Sequence, residues 1–530
     1  MLRAGFLVIV VTAYGCRSDA GKPDERVATL IATAEVQGTP EPCGCSSDPL
    51  GDVARISPLA RGGLWLDAGS LLYDEVPASS PSRVQSDLKA QKLASIYKDA
   101  ELGLGVNDLS RGGAAITQAR HADNVAAGVE RAPPRVRLVD GVKVGVFGVV
   151  TPKRVAASGL QAGDPVAAAT AAVAKLKADG AQVIVALLGM NRDEARTLMT
   201  AVDGIGFGII GAEVGEGMPE AEPVKGGFLV APADQARRVV RIELHAKKGV
   251  VALTPFAGEA ARQVTLERQQ RKVKTLTLQL AGWKGDPHAD KAFVAAREKE
   301  LAEVSADKTR LEKERPVPPD ASYFTYALEP VRVALPRDPK VAGELRALAH
   351  EIGQRNFSAA RDLPPPPAEA GKPSYVGMAA CGKCHKAAVA FWQKTVHAQA
   401  WKTLVDVDKQ YNYDCISCHV TGWLRPGGSN LGSVEKQALL NVQCEVCHGP
   451  GSKHVAEEGM DEPKTILARP ADRLCADQCH TKEHSDTFQL DPYLRDILGK
   501  GHGEARRKQL GDGVTGHELR SKALAAAGNQ

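Results

Sequence analysis

Val142-Lys-Val-Gly-Val-Phe-Gly-Val-Val150 decides the reading of the first half of the chain. Lys143 is its one charged residue, so both faces of an extended strand would be apolar. A strand with one wet face alternates instead; this pattern marks an interior strand covered on both sides. Working outward, similar short apolar runs stand at 27–32, 63–66, 183–188, 206–210, 228–231 and 239–244. Helical stretches at 84–97, 165–178 and 193–201 separate them. The alternation predicts an α/β unit, a layered sheet with helices, over 27–255.

The whole chain has 530 residues, 25% charged residues and a formal net charge of +4. This length suggests roughly three to four folded units. The composition excludes collagen-like and wholly disordered chains, and the near-neutral balance speaks against nucleic acid as a partner.

Beyond 255 the character changes. Segments 259–281 and 289–314 are rich in Lys, Arg, Glu, Gln and Ala, and they read as a helical hairpin arm packed on its own chain. A short strand at 323–333 and a helix at 339–356 follow, then the proline run 364–367, a stiff linker. The expected organisation is 1–15 signal peptide, 16–26 tether, 27–255 α/β unit, 256–361 arm with strand and helix, 362–373 linker, 374–505 a mainly α unit and 506–530 a polar tail.

The N-terminus carries Arg3, the apolar run 4–13 and then Ala13-Tyr-Gly-Cys16. This is the pattern of an export signal, and ten apolar residues are too few to span a bilayer. Two processing routes both cut before Cys16. The reading favours lipidation of Cys16 over ordinary signal cleavage, because an unpaired cysteine at a new N-terminus otherwise has no use. Cys16-Gly15 resembles a bacterial lipoprotein box, although Ala13 stands where that box usually has Leu. With Arg17 after the cysteine, the resemblance implies a lipid anchor in the cell envelope, at the periplasmic face or the outer membrane.

Three C-x-x-C-H motifs stand at Cys381/Cys384/His385, Cys415/Cys418/His419 and Cys444/Cys447/His448. In c-type haem attachment the two thiols form thioethers with the porphyrin and the histidine meets the iron. With this composition one such motif is expected by chance about 0.006 times per chain. A zinc ribbon also uses C-x-x-C pairs but does not require a histidine after each. A fourth cluster, Cys475/Cys479/His480, has three residues between its cysteines. It reads as a fourth haem site or as a disulfide with a spare histidine, and the first reading is preferred. Residues 1–370 hold four histidines and residues 371–530 hold nine. The excess fits distal axial ligands, with His397, His454, His484 and His502 as candidates and His517 as a surface residue.

GMAACGKCH, FWQKTVHAQAW, DCISCHVTGW, NVQCEVCHGPGSKH and CADQCHTKEHS follow in order over 375–503. They resemble the tetrahaem cytochrome that accepts electrons from hydroxylamine oxidoreductase and its relatives. The resemblance implies four covalent haems, close stacking, mostly bis-histidine ligation and redox proteins as partners. It also allows one five-coordinate iron. Trp392, Trp401 and Trp423 are expected to pack on porphyrin faces.

Residues 27–255 resemble the calcineurin-like metallophosphoesterases of the 5'-nucleotidase branch, through ATAEVQG, LWLDAGS, GVNDLSRG, VKVGVFGVVTP and GFGIIGAEVG. That chemistry needs two metals held by Asp, Asn and His. Compared position by position, Glu35 and Gln37 replace the first Asp and His, Ser70 the bridging Asp, and Val106 and Asn107 the Asn-His pair. Ala212 and Val214 stand where the last histidines belong. The expectation is a scaffold without its metals, hence no catalytic residues. A hydrolase using Glu35, Asp67 and Asp108 is the rival reading, and a haem enzyme acting on a small nitrogen species is another. Cys43 and Cys45 form a C-x-C pair on the loop after the first strand; a disulfide, a metal site or two free thiols fit it, with the disulfide favoured.

Overall fold

The computed structural model describes residues 25–74, 82–284, 290–436, 439–461, 464–481 and 484–527. The expected signal and Cys16 lie outside these residues. Eleven strands form two sheets: β1 Glu25–Thr33, β2 Leu64–Asp67, β3 Glu101–Leu102, β4 Arg135–Val139, β5 Val142–Val150, β6 Val183–Gly189, β7 Phe207–Ile210, β8 Glu222–Val224, β9 Gly227–Val230, β10 Arg238–Lys247 and β11 Tyr323–Pro330. One sheet runs β11-β10-β1-β2-β3 and the other β4-β5-β6-β7-β9-β8. Both mix parallel and antiparallel pairs; β5, β6, β7 and β9 are mutually parallel and β1 pairs antiparallel with β10.

Strand parity explains the opening stretch. Val142, Val144 and Val146 share a core with Leu30, Leu66 and Ile242 of the other sheet. Phe147 and Val149 point the opposite way, into a core with Leu176 of helix Pro165–Ala178 and Leu198 of helix Arg192–Ala201. On the far side of the first sheet, Ile31 joins Leu93, Tyr97 and Leu345 under helices Arg83–Ile96 and Pro339–Ala360. The result is four layers, helix–sheet–sheet–helix, with apolar side chains on both faces of each sheet.

The first sheet runs past the expected boundary at 255. Strand β11 pairs antiparallel with β10, Leu244 opposite Phe324. Between them the chain makes the hairpin Glu259–Lys284 and Lys291–Lys313. The strand ends at Pro330 rather than 333, and the following helix runs to Ala360 rather than 356. Strand β4 was not expected: its residues are mostly exposed, and Arg135-Val-Arg-Leu-Val139 carries too little apolar pattern to be read as a strand.

After residue 371 the architecture is a set of short helices and turns. They include Met378–Cys381, Lys386–Trp392, Ala400–Val405, Tyr413–Ile416, Cys444–His448, Ser452–Ala456 and Leu474–Gln478. Only eight apolar side chains are buried here among the described residues, Trp401, Ile416 and Val434 among them. A module of this size with so small a core lacks the burial that ordinarily offsets chain entropy. Among the described residues no helix is long and apolar enough to cross a membrane.

Candidate haem centres and a dismantled metal site

The histidines of this module come together in pairs. His385 and His454 have ring centroids 6.3 Å apart, His397 and His480 6.2 Å, and His448 and His502 6.1 Å. An iron held by two imidazoles at about 2.0 Å per bond, with each ring centre about 1.1 Å behind its nitrogen, sets the centroids about 6.2 Å apart. Each pair joins one motif histidine to a histidine outside its own motif. No comparable histidine pairing involves His419 among the described residues. His484 Nδ1 lies 2.7 Å from Thr481 Oγ1, and His484 sits, like His419, near enough to the Cys418 thiol to act on it electrostatically.

In five of the rings Nδ1 is tied down, as is common for metal-binding histidines. His419 Nδ1 lies 2.6 Å from the Ala400 carbonyl, His448 Nδ1 2.6 Å from that of Leu467 and His502 Nδ1 2.7 Å from that of Ile497. His454 Nδ1 meets the Asp461 carboxylate at 3.1 Å and His480 Nδ1 meets Ser485 Oγ at 3.1 Å. Each contact leaves Nε2 as the open nitrogen. Burial pushes His397 and His448 below the usual histidine range and His480 down to about 4, so these rings are neutral, the ligand form.

The eight motif cysteines are unpaired as disulfides. Cys381 lies within hydrogen-bonding reach of Cys444, and Cys418 of Cys479. Cys447 in turn lies near Cys475. The first motif therefore abuts the third, and the second abuts the fourth. Trp392 donates its indole N–H to the Val442 carbonyl at 2.8 Å, Trp401 is in the small core, and Trp423 packs near Tyr413. The spacing of the rings, their fixed Nδ1 atoms and the scarcity of apolar filling all suit c-type haem.

The second candidate site lies where β1, β2 and β3 end. Gly69 and Gly105 let two loops cross here, since a Cβ on Gly69 would stand 2.4 Å from the Gly105 nitrogen. Glu35, Gln37 and Ser70 all hold positive φ, 50°, 53° and 57°. Such strain gathers at functional loops, and here Glu35 N–H to the Gly69 carbonyl and Gln37 N–H to that of Ser70 hold it in place. The acidic groups, however, are turned to the chain itself. Asp108 accepts the backbone N–H groups of Ser70, Leu72 and Gly105. Asp67 accepts Thr33 Oγ1 at 2.7 Å and Gly69 N–H at 3.0 Å, and Glu35 accepts the Gln37 amide at 2.8 Å. Among the described residues no three His, Cys, Asp or Glu are grouped to hold a metal ion. The residues do not fit a metal pair. Burial raises Glu35 and Asp67 to about 7.

On the neighbouring loop Cys43 and Cys45 are joined as a disulfide, with Cα atoms 5.5 Å apart.

Sequence reasoning missed the groups that orient the rings. Three are backbone carbonyls, invisible in sequence. Asp461 and Ser485 are side chains, but neither sits at a fixed spacing from its histidine.

The family model "Cytochrome c554 and c-prime" matches residues 380–449. Cytochrome c-554 of Nitrosomonas europaea is 37% identical over 92 residues, 14% of this chain and 39% of that protein. The chain thus spans about two fifths of the curated relative it matches. Among solved structures, the calcineurin-like phosphoesterase YfkN of Bacillus subtilis is similar with a TM-score of 0.34 and 20% identity, covering 43% of this chain and 88% of that one. The 5'-nucleotidase precursor of Thermus thermophilus has a TM-score of 0.39 and 17% identity, covering 62% and 59%. Over its matched segment the C-terminal module is similar to the cytochrome c554 family, and that likeness implies covalently bound c-type haem.

Proposed function

We propose that this chain is a tetrahaem c-type cytochrome of the cell envelope, anchored by lipid on Cys16, that passes single electrons between redox partner proteins. The observation that carries the proposal is the set of three histidine pairs at 6.1–6.3 Å, each at the span of one iron. Cys381/Cys384, Cys415/Cys418, Cys444/Cys447 and Cys475/Cys479 would hold the four groups, with His385, His419, His448 and His480 as proximal ligands. His454, His502 and His397 would be distal to His385, His448 and His480. Bound c-type haem supplies a one-electron iron couple. Burial favours the neutral form of His397, His448 and His480, and Nδ1 contacts fix the rotation of His419, His448, His454, His480 and His502. The contacts between motifs run second–fourth–third–first, which supports closely spaced centres.

The domain boundaries remain part of the proposal, with one change: the unit that begins at 27 takes in β11 and the helix Pro339–Ala360, and the haem unit begins near 374. The four-layer unit would serve as a docking or ligand-binding scaffold without hydrolysis.

A second reading has its own support. His419 lacks a trans histidine among the described residues, so the second centre would be open to a small ligand, as a haem enzyme acting on a nitrogen species requires. Electron paramagnetic resonance of the oxidised protein tests both parts. Three low-spin signals and one high-spin signal that changes on adding azide or nitric oxide are expected. Four low-spin signals indifferent to both would remove the open site.

A further inference from the structure

The loop 38–52 carries the one disulfide of the described residues, and it is pinned on both sides of that bond. Val53 N–H reaches the Pro40 carbonyl, Glu41 pairs with Arg337, and Asp48 pairs with Arg332. Only the tip is left out: Cys43 and Gly44 are exposed, and Gly44 takes the left-handed turn, φ 71°, between the two cysteines. Two residues beyond Cys45, the loop docks on the haem module. Ser47 is 4% exposed; its N–H donates to Asp486 Oδ1 at 3.0 Å and its hydroxyl donates to Asp486 Oδ2. The neighbour of Asp486 is Ser485, whose hydroxyl holds Nδ1 of His480 at 3.1 Å. A continuous path therefore runs from the His480 ring through Ser485, Asp486, Ser47 and Ser46 to Cys45. Two hydrogen bonds and a few peptide units make it up.

We propose that Cys43–Cys45 is a disulfide/dithiol redox centre coupled to the fourth haem site through this path. The inference rests on the reading of the C-terminal module as a haem carrier. Exposed disulfides tend to be the labile, regulatory or catalytic ones. This one closes a loop already pinned by hydrogen bonds and ion pairs, so a structural staple there is redundant. The step balances as follows: two single electrons leave two ferrous centres ferric, two protons come from solvent at the exposed tip, the S–S bond breaks and two thiols form. The pair would collect two one-electron equivalents as a two-electron donor.

The test uses the full-length holoprotein under anaerobic conditions, with photoreduced deazaflavin as the one-electron donor. Samples are quenched in acid, alkylated with iodoacetamide and read by peptide mass, while absorbance follows the haems and a pyridine haemochrome assay counts them. The expected result is alkylation of Cys43 and Cys45 in step with haem reduction, and an uptake of two electrons beyond the haem count. The Cys43→Ser/Cys45→Ser variant should lose those two electrons. Ser47→Ala and Asp486→Asn should slow alkylation by roughly tenfold or more with the haem spectrum unchanged, because bonds to a carboxylate are among the strong ones. Fully reduced haems with both cysteines unalkylated would overturn the proposal while leaving the haem reading intact. A protein without covalent haem would overturn the haem reading and this proposal together.

Discussion

A histidine ligates iron when one nitrogen is held by the protein and the other is left open, and the residue-scale evidence is of this kind. His448 and His502 are each fixed through Nδ1 by a carbonyl, of Leu467 and Ile497 respectively. The motif cysteines and the histidines beside them stand out in the sequence because their C-x-x-C-H spacing is fixed. The pairings do not, because a distal ligand needs only to arrive in space: His454 lies 69 residues after His385, counted from the sequence. Replacing His454 by Ala leaves Cys381, Cys384 and His385 in place. The expected outcome is an unchanged haem count and one additional high-spin signal by electron paramagnetic resonance. At the buried acids where β1 and β2 end, the prediction concerns pH. Burial raises Asp67 from 3.8 to about 7. A carboxyl whose folded value is raised favours folding while protonated, so its contribution is present below about pH 4 and lost as pH rises through 7. The four-layer unit should therefore be more stable near pH 5 than pH 8, by on the order of 3 kcal/mol from this group. Asp67→Asn should flatten that slope in urea melts at the two pH values.

At the scale of elements, strands buried on both faces were the easiest to read. Val142–Val150 and Val183–Gly189 carry continuous apolar runs because a sheet covers one face and helices the other. Strand β4 at the sheet edge and the two-residue β3 carry too few apolar positions for periodicity to find them. The placement of β11 was also hidden, because a hairpin arm separates it from β10 in sequence and only long-range pairing returns it. Its packing shows where it belongs. The Phe324 ring lies 5.1 Å from that of Phe207 and 4.8 Å from that of Phe228, both in the opposite sheet. Phe324→Ala should cost about 3–5 kcal/mol, seen as a lower urea midpoint of the four-layer unit. If β11 were part of a detached arm, that midpoint would not move.

Across the whole molecule, two kinds of stabilisation meet. The four-layer unit is held by three apolar cores. The C-terminal module has one small core around Trp401, and the volume between its paired histidines is where porphyrin would supply the missing apolar surface. The two parts touch along a polar seam. Gln85 accepts from the Tyr413 N–H and the Asn356 amide, Lys89 pairs with Asp414 beside the second motif, and Ser47 meets Asp486 beside the fourth. Apolar contacts join the seam as well: Ala360 shares the small core with Trp401, and the Phe357 ring lies 4.7 Å from that of Tyr411. The polar seam was not legible in sequence, because polar contacts between distant residues leave no periodic trace. The central claim is that four covalent haems complete this second half. Intact mass of the mature protein, combined with a pyridine haemochrome assay, tests it most directly. Four haems per chain is the result expected; fewer than three would contradict the account.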